Sequence, residues 1–428
     1  MEFGQSSFGG IDFEKQYASA YFVRLESLRA AVMSAARDRW VATHRISENQ
    51  LVGNVKSYKS DSQEIVLVGV MFKDMCLKPN VLSDIQNSLS LSDQWLLPPD
   101  GVDVARKVSD SDVVYLEDME ARIQLVFEDN SVPQSFPTGI VVAVLGCVNQ
   151  HGFFNVHDYV LPGCQSPSSA LKMTDEPSYV AMVSGLQIGS PSSNPLSLQL
   201  LRDFLMGTSG SDEDTKLASQ IVRVIVAGDS LFYKPDRDPS ATSMQEADIF
   251  FSELASVLPV DVMSGARDPT NYCLPQQPLH SGLFPEARRY ANMNVKTNPF
   301  KLKLGEMVLL GTSGQNLTDI LQYTNLESGL DALDLVAKAR HLAPTAPDTL
   351  ACYPFTMTDP LIVSENNGGC PHVIFSGNQT KTESRMVDGS GVRIATISDF
   401  SLSPSILLLN VCDIEDVKII EFCVQDMI

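Results

Sequence analysis

A small all-β barrel followed by an α/β sandwich, with one long helix in front, is the architecture this sequence predicts. Three observations carry the prediction. Apolar residues recur at helical spacing in 12–42, alternate with period two through 44–161, and form near-continuous runs separated by helical patterns from 179 onward. A chain of 428 residues, 44% hydrophobic and 19% charged, can bury the cores this requires.

The first element is the helix. Phe13, Tyr17, Tyr21, Leu25, Leu28, Val32 and Ala36 fall on one face, while Lys15, Arg24, Arg37 and Arg39 mix with acids on a face expected to be solvated. The stripe in 1–43 needs a cover, expected from the later α/β domain or from a partner. Next come the strand-like runs LVGNVKSY, EIVLVGVMF, VVYLEDMEARIQLVF, GIVVAVLGCV and, after the turn at 149–152, FFNVHDYVLP. Short strands with one helical insert over 44–161 suit an OB-fold. An OB-fold that grips single-stranded DNA needs stacking aromatics in a basic groove. Between Asp110 and Asp129 this chain sets seven acids against Arg122 alone, so a protein-binding or spacer role is expected, with a single-strand-binding module as the alternative.

PGCQSPSSALKMTDEPS, 162–178, reads as a linker. Beyond it, in 179–428, buried strands ending at Val183, Ala227 and Met263 alternate with helices at Leu196–Met206 and 244–259. That order predicts a parallel sheet covered by helices, with functional loops at the carboxyl ends of its strands. The chain after Phe300 reads as hairpins and short helices, closing in antiparallel strands.

Composition excludes several functions. A net charge of −21 is wrong for a surface that binds phosphates, and favours protein partners or basic surfaces. The longest apolar run, Gly139–Val148, is about half a membrane span. MEFGQSSFGG has neither a basic nor an apolar signal region, so no secretory signal is expected. Eight cysteines without a CxxC pair predict neither a zinc site nor a disulfide framework.

Three strand-end loops on such a sheet resemble the calcineurin-like metallophosphoesterase fold. Enzymes of that fold hold two metals with D-x-H, G-D, G-N-H-[DE], a lone His and G-H-x-H. Here Gly185 and Gln187 of SGLQIG stand for the first pair, and Asp229 of AGDS is kept. GARD puts Ala266, Arg267 and Asp268 where a ligand, an acid and its orienting carboxylate belong. Asn378 and Thr380 stand for the last two histidines, and His341 aligns with the lone one. An arginine beside the metal position repels cations and is no acid or base near neutral pH. No catalytic residue, metal or cofactor is expected, and a residual metal-dependent phosphodiesterase or nuclease is the alternative. The plain expectations are turn chemistry for Asp229 and Asp268, a helix C-terminal cation for His341, and a place near a helix N-cap for Ser313.

PVDVMSGARDPTNYCLPQQPLHSGLFP, LGTSGQNLTDI, RHLAPTAPDTLACYPF, DPLIVSENNGGCPHVIFSGN and FEKQYASAYFVRLESLR together resemble the small, regulatory subunit family of eukaryotic DNA polymerase delta. The resemblance runs from about Phe13 to the last strands. It implies an OB-fold joined to an inactive phosphodiesterase-like domain, in a nuclear, non-catalytic scaffold for DNA replication and repair synthesis. It implies as partners the cysteine-rich C-terminal region of the catalytic subunit, the third subunit, and the polymerase zeta catalytic subunit. DNA would be met only through the complex, no membrane is involved, and any Fe–S cluster is held by the catalytic subunit. The loop bearing Asp268, Pro269, Asn271, Tyr272, Pro275, Gln276, Gln277 and Pro278 is expected to face a partner or the barrel.

Overall fold

The computed structural model describes residues 17–422 apart from 56–62, 79–105, 130, 168, 172–175, 192, 209, 233–240 and 365–368. Two compact units divide the chain. One takes in Gly10–Gln165 and Asn316–Ser364, the other Ser166–Gln315 and Glu365–Ile428.

The first unit begins with α1 (Ala18–Ala36), which runs on through a π-helical turn at Arg37–Val41. Strands β1 (Leu51–Gly53), β2 (Ile65–Asp74), β3 (Val113–Glu117), β4 (Arg122–Phe127), β5 (Val141–Val148) and β6 (Phe154–Val160) follow, with a short helix α2 (Ser131–Ser135) between β4 and β5. Their order is β1-β2-β3-β4-β6-β5, and β2 also pairs with β5, so the ladder from β2 round to β5 returns to β2. One face of these strands buries Leu67, Met71, Leu116, Leu125, Val142, Val144 and Phe154. The other face of β2 and β5 offers Val66, Val68, Val70, Val141, Ala143 and Leu145, and α1 lays Leu25, Leu28, Val32, Ala36 and Trp40 on it. Burial on both sides explains why β2 and β5 read as unbroken apolar runs.

The stripe of the helix packs mainly on the strands of its own unit, and Ile362, from the stretch expected within the 179–428 domain, joins the same cluster. Phe13 and Lys15 lie outside the described residues. Arg24 is corrected. It is 1% exposed, not solvated. Its guanidinium donates to the carbonyls of Gly139 (2.9 Å), Pro344 (2.7 Å) and Ala346 (2.7 Å).

The 316–364 segment, expected within one 179–428 domain, groups with this first unit. It carries most of α6 (Gln315–Gln322) and all of α7 (Gly329–Ala339). Leu335 and Ala339 of α7 pack against the strand core, and Arg340 Nε donates to the Gly163 carbonyl at 2.5 Å. An apolar helix stripe reports that it is covered, not by what.

In the second unit β7 (Tyr179–Val183), β8 (Ile221–Val226), β9 (Val260–Met263) and β10 (Met293–Lys296) run parallel. β16 (Ser405–Asn410) and β17 (Val417–Glu421) extend the sheet antiparallel, in the order β10-β9-β8-β7-β16-β17. Helices α3 (Pro195–Leu205), α4 (Asp212–Ser219) and α5 (Ala241–Val257) make the crossovers. Leu201, Phe204, Phe251 and Leu254 of these helices cover one face of the sheet through Ala181, Val183, Val224 and Val262.

A second sheet, β11 (Phe300–Leu304), β12 (Met307–Thr312), β13 (Val373–Gln379), β14 (Glu383–Val387) and β15 (Val392–Ser398), has the order β11-β12-β13-β15-β14. Its Leu309, Phe375 and Ile397 meet Met182, Ile225, Met263 and Leu407 of the first sheet. Gly311 gives the Phe375 ring its room on the neighbouring strand: a Cβ there would lie 2.0 Å from that ring. The closing strands are not all antiparallel as expected, because β15 pairs parallel to β13 while β14 covers its other side.

Candidate functional site: four strand ends in the second unit

The loops that follow β7, β8, β9 and β13 meet at the carboxyl ends of these strands, with a fifth turn after β15. Asp229 follows β8 with φ 52 and is 2% exposed. Its Oδ1 accepts the Arg267 N–H at 2.8 Å, and its carbonyl accepts the Gln187 N–H at 3.0 Å. The Arg267 guanidinium lies between two carboxylates, with Nε 3.6 Å from Asp229 Oδ2 and Nη1 3.3 Å from Asp399 Oδ2. Asp399 Oδ2 also accepts Gln187 Nε2–H at 2.8 Å, while its Oδ1 accepts the Ser401 amide (3.0 Å) and hydroxyl (2.7 Å).

Gly185, at φ 63, closes the space further: a Cβ there would come 2.5 Å from Asp399 Oδ1. Asn378, at φ 53, accepts no proton at its buried Oδ1, while its Nδ2 donates to the Ser313 carbonyl at 2.8 Å. Three of the five non-glycine residues with positive φ among those described, Gln187, Asp229 and Asn378, thus sit in these strand-end turns. Such backbone is strained and survives only where the surroundings fix it.

Asp268 is buried behind the site. It accepts the Leu231 amide at 3.0 Å and the Gly265 amide at 2.8 Å. Burial, then the charge of Asp229, pushes its carboxyl up, against the pull of those amides. Burial also pushes Asp229 up, and Arg267 pulls it back.

Of the sequence-predicted residues, Gly185, Gln187, Asp229, Arg267, Asp268 and Asn378 come together here, with Ala266 beside them supplying only a methyl group. Thr380 is exposed just past β13. Asp399 was not anticipated. The one signal for it was that TISD ends an apolar run in an acid, as VAGD does. Among the described residues no three His, Cys, Asp or Glu side chains are grouped to hold a metal ion. Ser313 stands two residues before α6, which starts at Gln315, and its hydroxyl donates to the Ser264 carbonyl.

His341 belongs to the other unit and is not part of this site. It is 1% exposed, with Nε2 2.8 Å from Asp359 Oδ2, and Asp359 in turn faces Arg24 Nε at 3.5 Å. It is therefore no helix-end cation. Burial, then the Arg24 charge, pushes its pKa down and keeps the ring neutral despite Asp359. The unfolded chain takes a proton at an ordinary imidazole pKa of about 6.5 that the folded chain resists. Stability should therefore fall as pH drops from about 7.5 towards 5, and His341→Gln should flatten that slope in thermal melts.

The loop after β9 is held by amides. Gln276 Nε2 donates to the carbonyls of Gly265 (3.1 Å) and Asn271 (2.9 Å), and its Oε1 accepts Asn298 Nδ2 and Gln315 Nε2, both at 2.8 Å. Asn271 Oδ1 accepts the Gln277 amide at 2.6 Å. Asp268, Pro275 and Gln276 are buried, and the hydrogen bonds of Asp268 and Gln276 shape the loop from within. Pro269, Asn271, Gln277 and Pro278 are partly buried, and Tyr272 is 53% exposed.

Comparison with known proteins bears on the whole chain. The family described as "DNA polymerase delta subunit OB-fold domain" matches residues 16–159, and the family of the DNA polymerase alpha/epsilon B subunits matches 180–385. The DNA polymerase delta small subunit of Arabidopsis thaliana is 35% identical, covering 94% of this chain and 90% of its own. That of Oryza sativa is 34% identical over 94% and 92%, and that of Saccharomyces cerevisiae 31% identical over 95% and 90%. With identity of this level spread across both units, the chain belongs to the DNA polymerase delta small-subunit family.

Proposed function

We propose that this family member is a non-catalytic scaffold of the DNA polymerase delta complex, built from an OB barrel and a retired phosphodiesterase-like domain. The observation that carries the reading is the Arg267 guanidinium set between Asp229 and Asp399. A fixed side-chain cation stands where catalysis of this kind needs exchangeable metals and a proton donor. The pairing of β2 with β5 supports the barrel. A grip on single strands is disfavoured by the net charge of −21 and by Arg122, which already covers the Tyr115 ring at 3.7 Å. In this reading the chain works in the nucleus. It bridges the cysteine-rich C-terminal region of the catalytic subunit to the third subunit, serves the polymerase zeta catalytic subunit likewise, and presents Tyr272 to a partner.

Co-expression with a tagged polymerase catalytic subunit tests the proposal. The chain should be recovered in equal amounts with it, and the pure chain should cleave no phosphodiester in manganese. Failure to co-purify, or a manganese-dependent cleavage lost in Asp229→Asn, would overturn it.

A further inference from the structure

The outer surface of the first unit carries a thiol with the surroundings of a nucleophile. Cys147, near the end of β5, is flanked by the strands on either side. β2 pairs Ile65 with Gly146, which brings Glu64 alongside Cys147. On the other side Cys147 pairs with Asn155 of β6, and the register slips between Leu145 and Gly146. The slip leaves His157 as the extra residue opposite them, a bulge of the kind that re-aims a side chain. His157 Nε2 lies 4.0 Å from Cys147 Sγ, and its Nδ1 lies 2.6 Å from Glu64 Oε1. His157 and Glu64 are about one-third exposed, at 31% and 34%, and Cys147 is partly buried.

We propose that Cys147, His157 and Glu64 form a thiol-modification site that exchanges with low-molecular-weight disulfides. With the Nδ1 proton donated to Glu64, His157 presents its Nε2 lone pair to the Cys147 thiol. Nε2 takes the thiol proton as the sulfur attacks one sulfur of the disulfide. The S–S bond breaks, a mixed disulfide forms on Cys147, and the proton passes to the departing thiolate, which leaves as a free thiol. The disulfide is the only co-reactant, and the exchange is redox-neutral overall.

The chain contains its own comparator. Cys76 is more exposed than Cys147, but its Sγ lies 3.2 Å from the Ser111 hydroxyl and 3.7 Å from Asp112 Oδ1, groups that are weaker bases than an imidazole. Exposure alone ranks Cys76 first; the His–Glu arrangement ranks Cys147 first.

The test is the rate of mixed-disulfide formation at each cysteine of the full chain with glutathione disulfide, read by peptide mass spectrometry. Cys147 should react about tenfold faster than Cys76. His157→Gln should bring the two rates together. Glu64→Gln should slow Cys147, and Glu64→Asp should restore most of the rate. Protection of the buried Cys352 in the same digests reports that each variant is folded. A Cys147 that reacts no faster than Cys76, or a rate unchanged in folded His157→Gln, would overturn the proposal.

Discussion

Arg24→Met should lower the stability of this protein by about 3–5 kcal/mol, the cost of stranding a buried charge. Arg24 and Asp359 are both buried, at 1% and 0% side-chain exposure. The variant leaves the Asp359 carboxylate with His341 and the Leu361 amide, and removes the donor from three carbonyls. Burial alone would raise the Asp359 pKa, but His341 and Arg24 hold it well below the carboxylate range. In the wild type, that depressed pKa gives stability present above about pH 4 and lost as pH falls further. In Arg24→Met the carboxyl rises, so the deficit should shrink on acidification. Urea melts of the single variant and of Arg24→Met/Asp359→Asn measure this. A loss under about 1 kcal/mol, or no recovery in the double variant, would contradict the arrangement.

Arg267→Ala should cost about 2–3 kcal/mol, less than a fully buried pair because the guanidinium is 29% exposed and screened. It frees the carboxylates of Asp229 and Asp399, though the Arg267 amide still donates to Asp229. Burial already raises the Asp229 pKa, and removing its cation raises it further. A carboxyl raised in the folded state favours folding at low pH and penalises it as pH rises through that folded pKa. The deficit should therefore be larger at about pH 8 than at about pH 5, the sign opposite to that of the His341 effect. Denaturant midpoints at the two pH values decide it; a deficit independent of pH would mean that Arg267 acts by packing alone.

Much of this architecture was legible in the residues. Strands β7, β8 and β9 carry unbroken apolar runs because helices cover one face and a second sheet the other, and such runs say parallel sheet. The loops at their ends are legible by motif, which locates Asp229, Arg267 and Asn378 by sequence alone. What escaped is what lies far apart in sequence. Asp399 is 132 residues from Arg267, and no local pattern ties an acid after β15 to an arginine after β9. The helical stripe of α7 announced burial, but local periodicity does not name the partner surface, so its grouping with the first unit was hidden. Arg24 reads as solvated in sequence because a charged residue beside acids usually is; the carbonyls that hold it come from 139, 344 and 346. Gln276 looked like loop surface for the same reason: a glutamine is as suited to water as to a buried amide network.

The guanidinium between Asp229 and Asp399 has a consequence for how this face responds to its surroundings. A bound ion stabilises its site only in proportion to its supply, through the ratio of its concentration to its dissociation constant. A charge tethered to the backbone has no concentration that can fall. Chelators and swings in free magnesium, which a polymerase reaction depends on, should leave these turns unmoved, so the surface they support keeps one form whatever the ionic state of the reaction it accompanies.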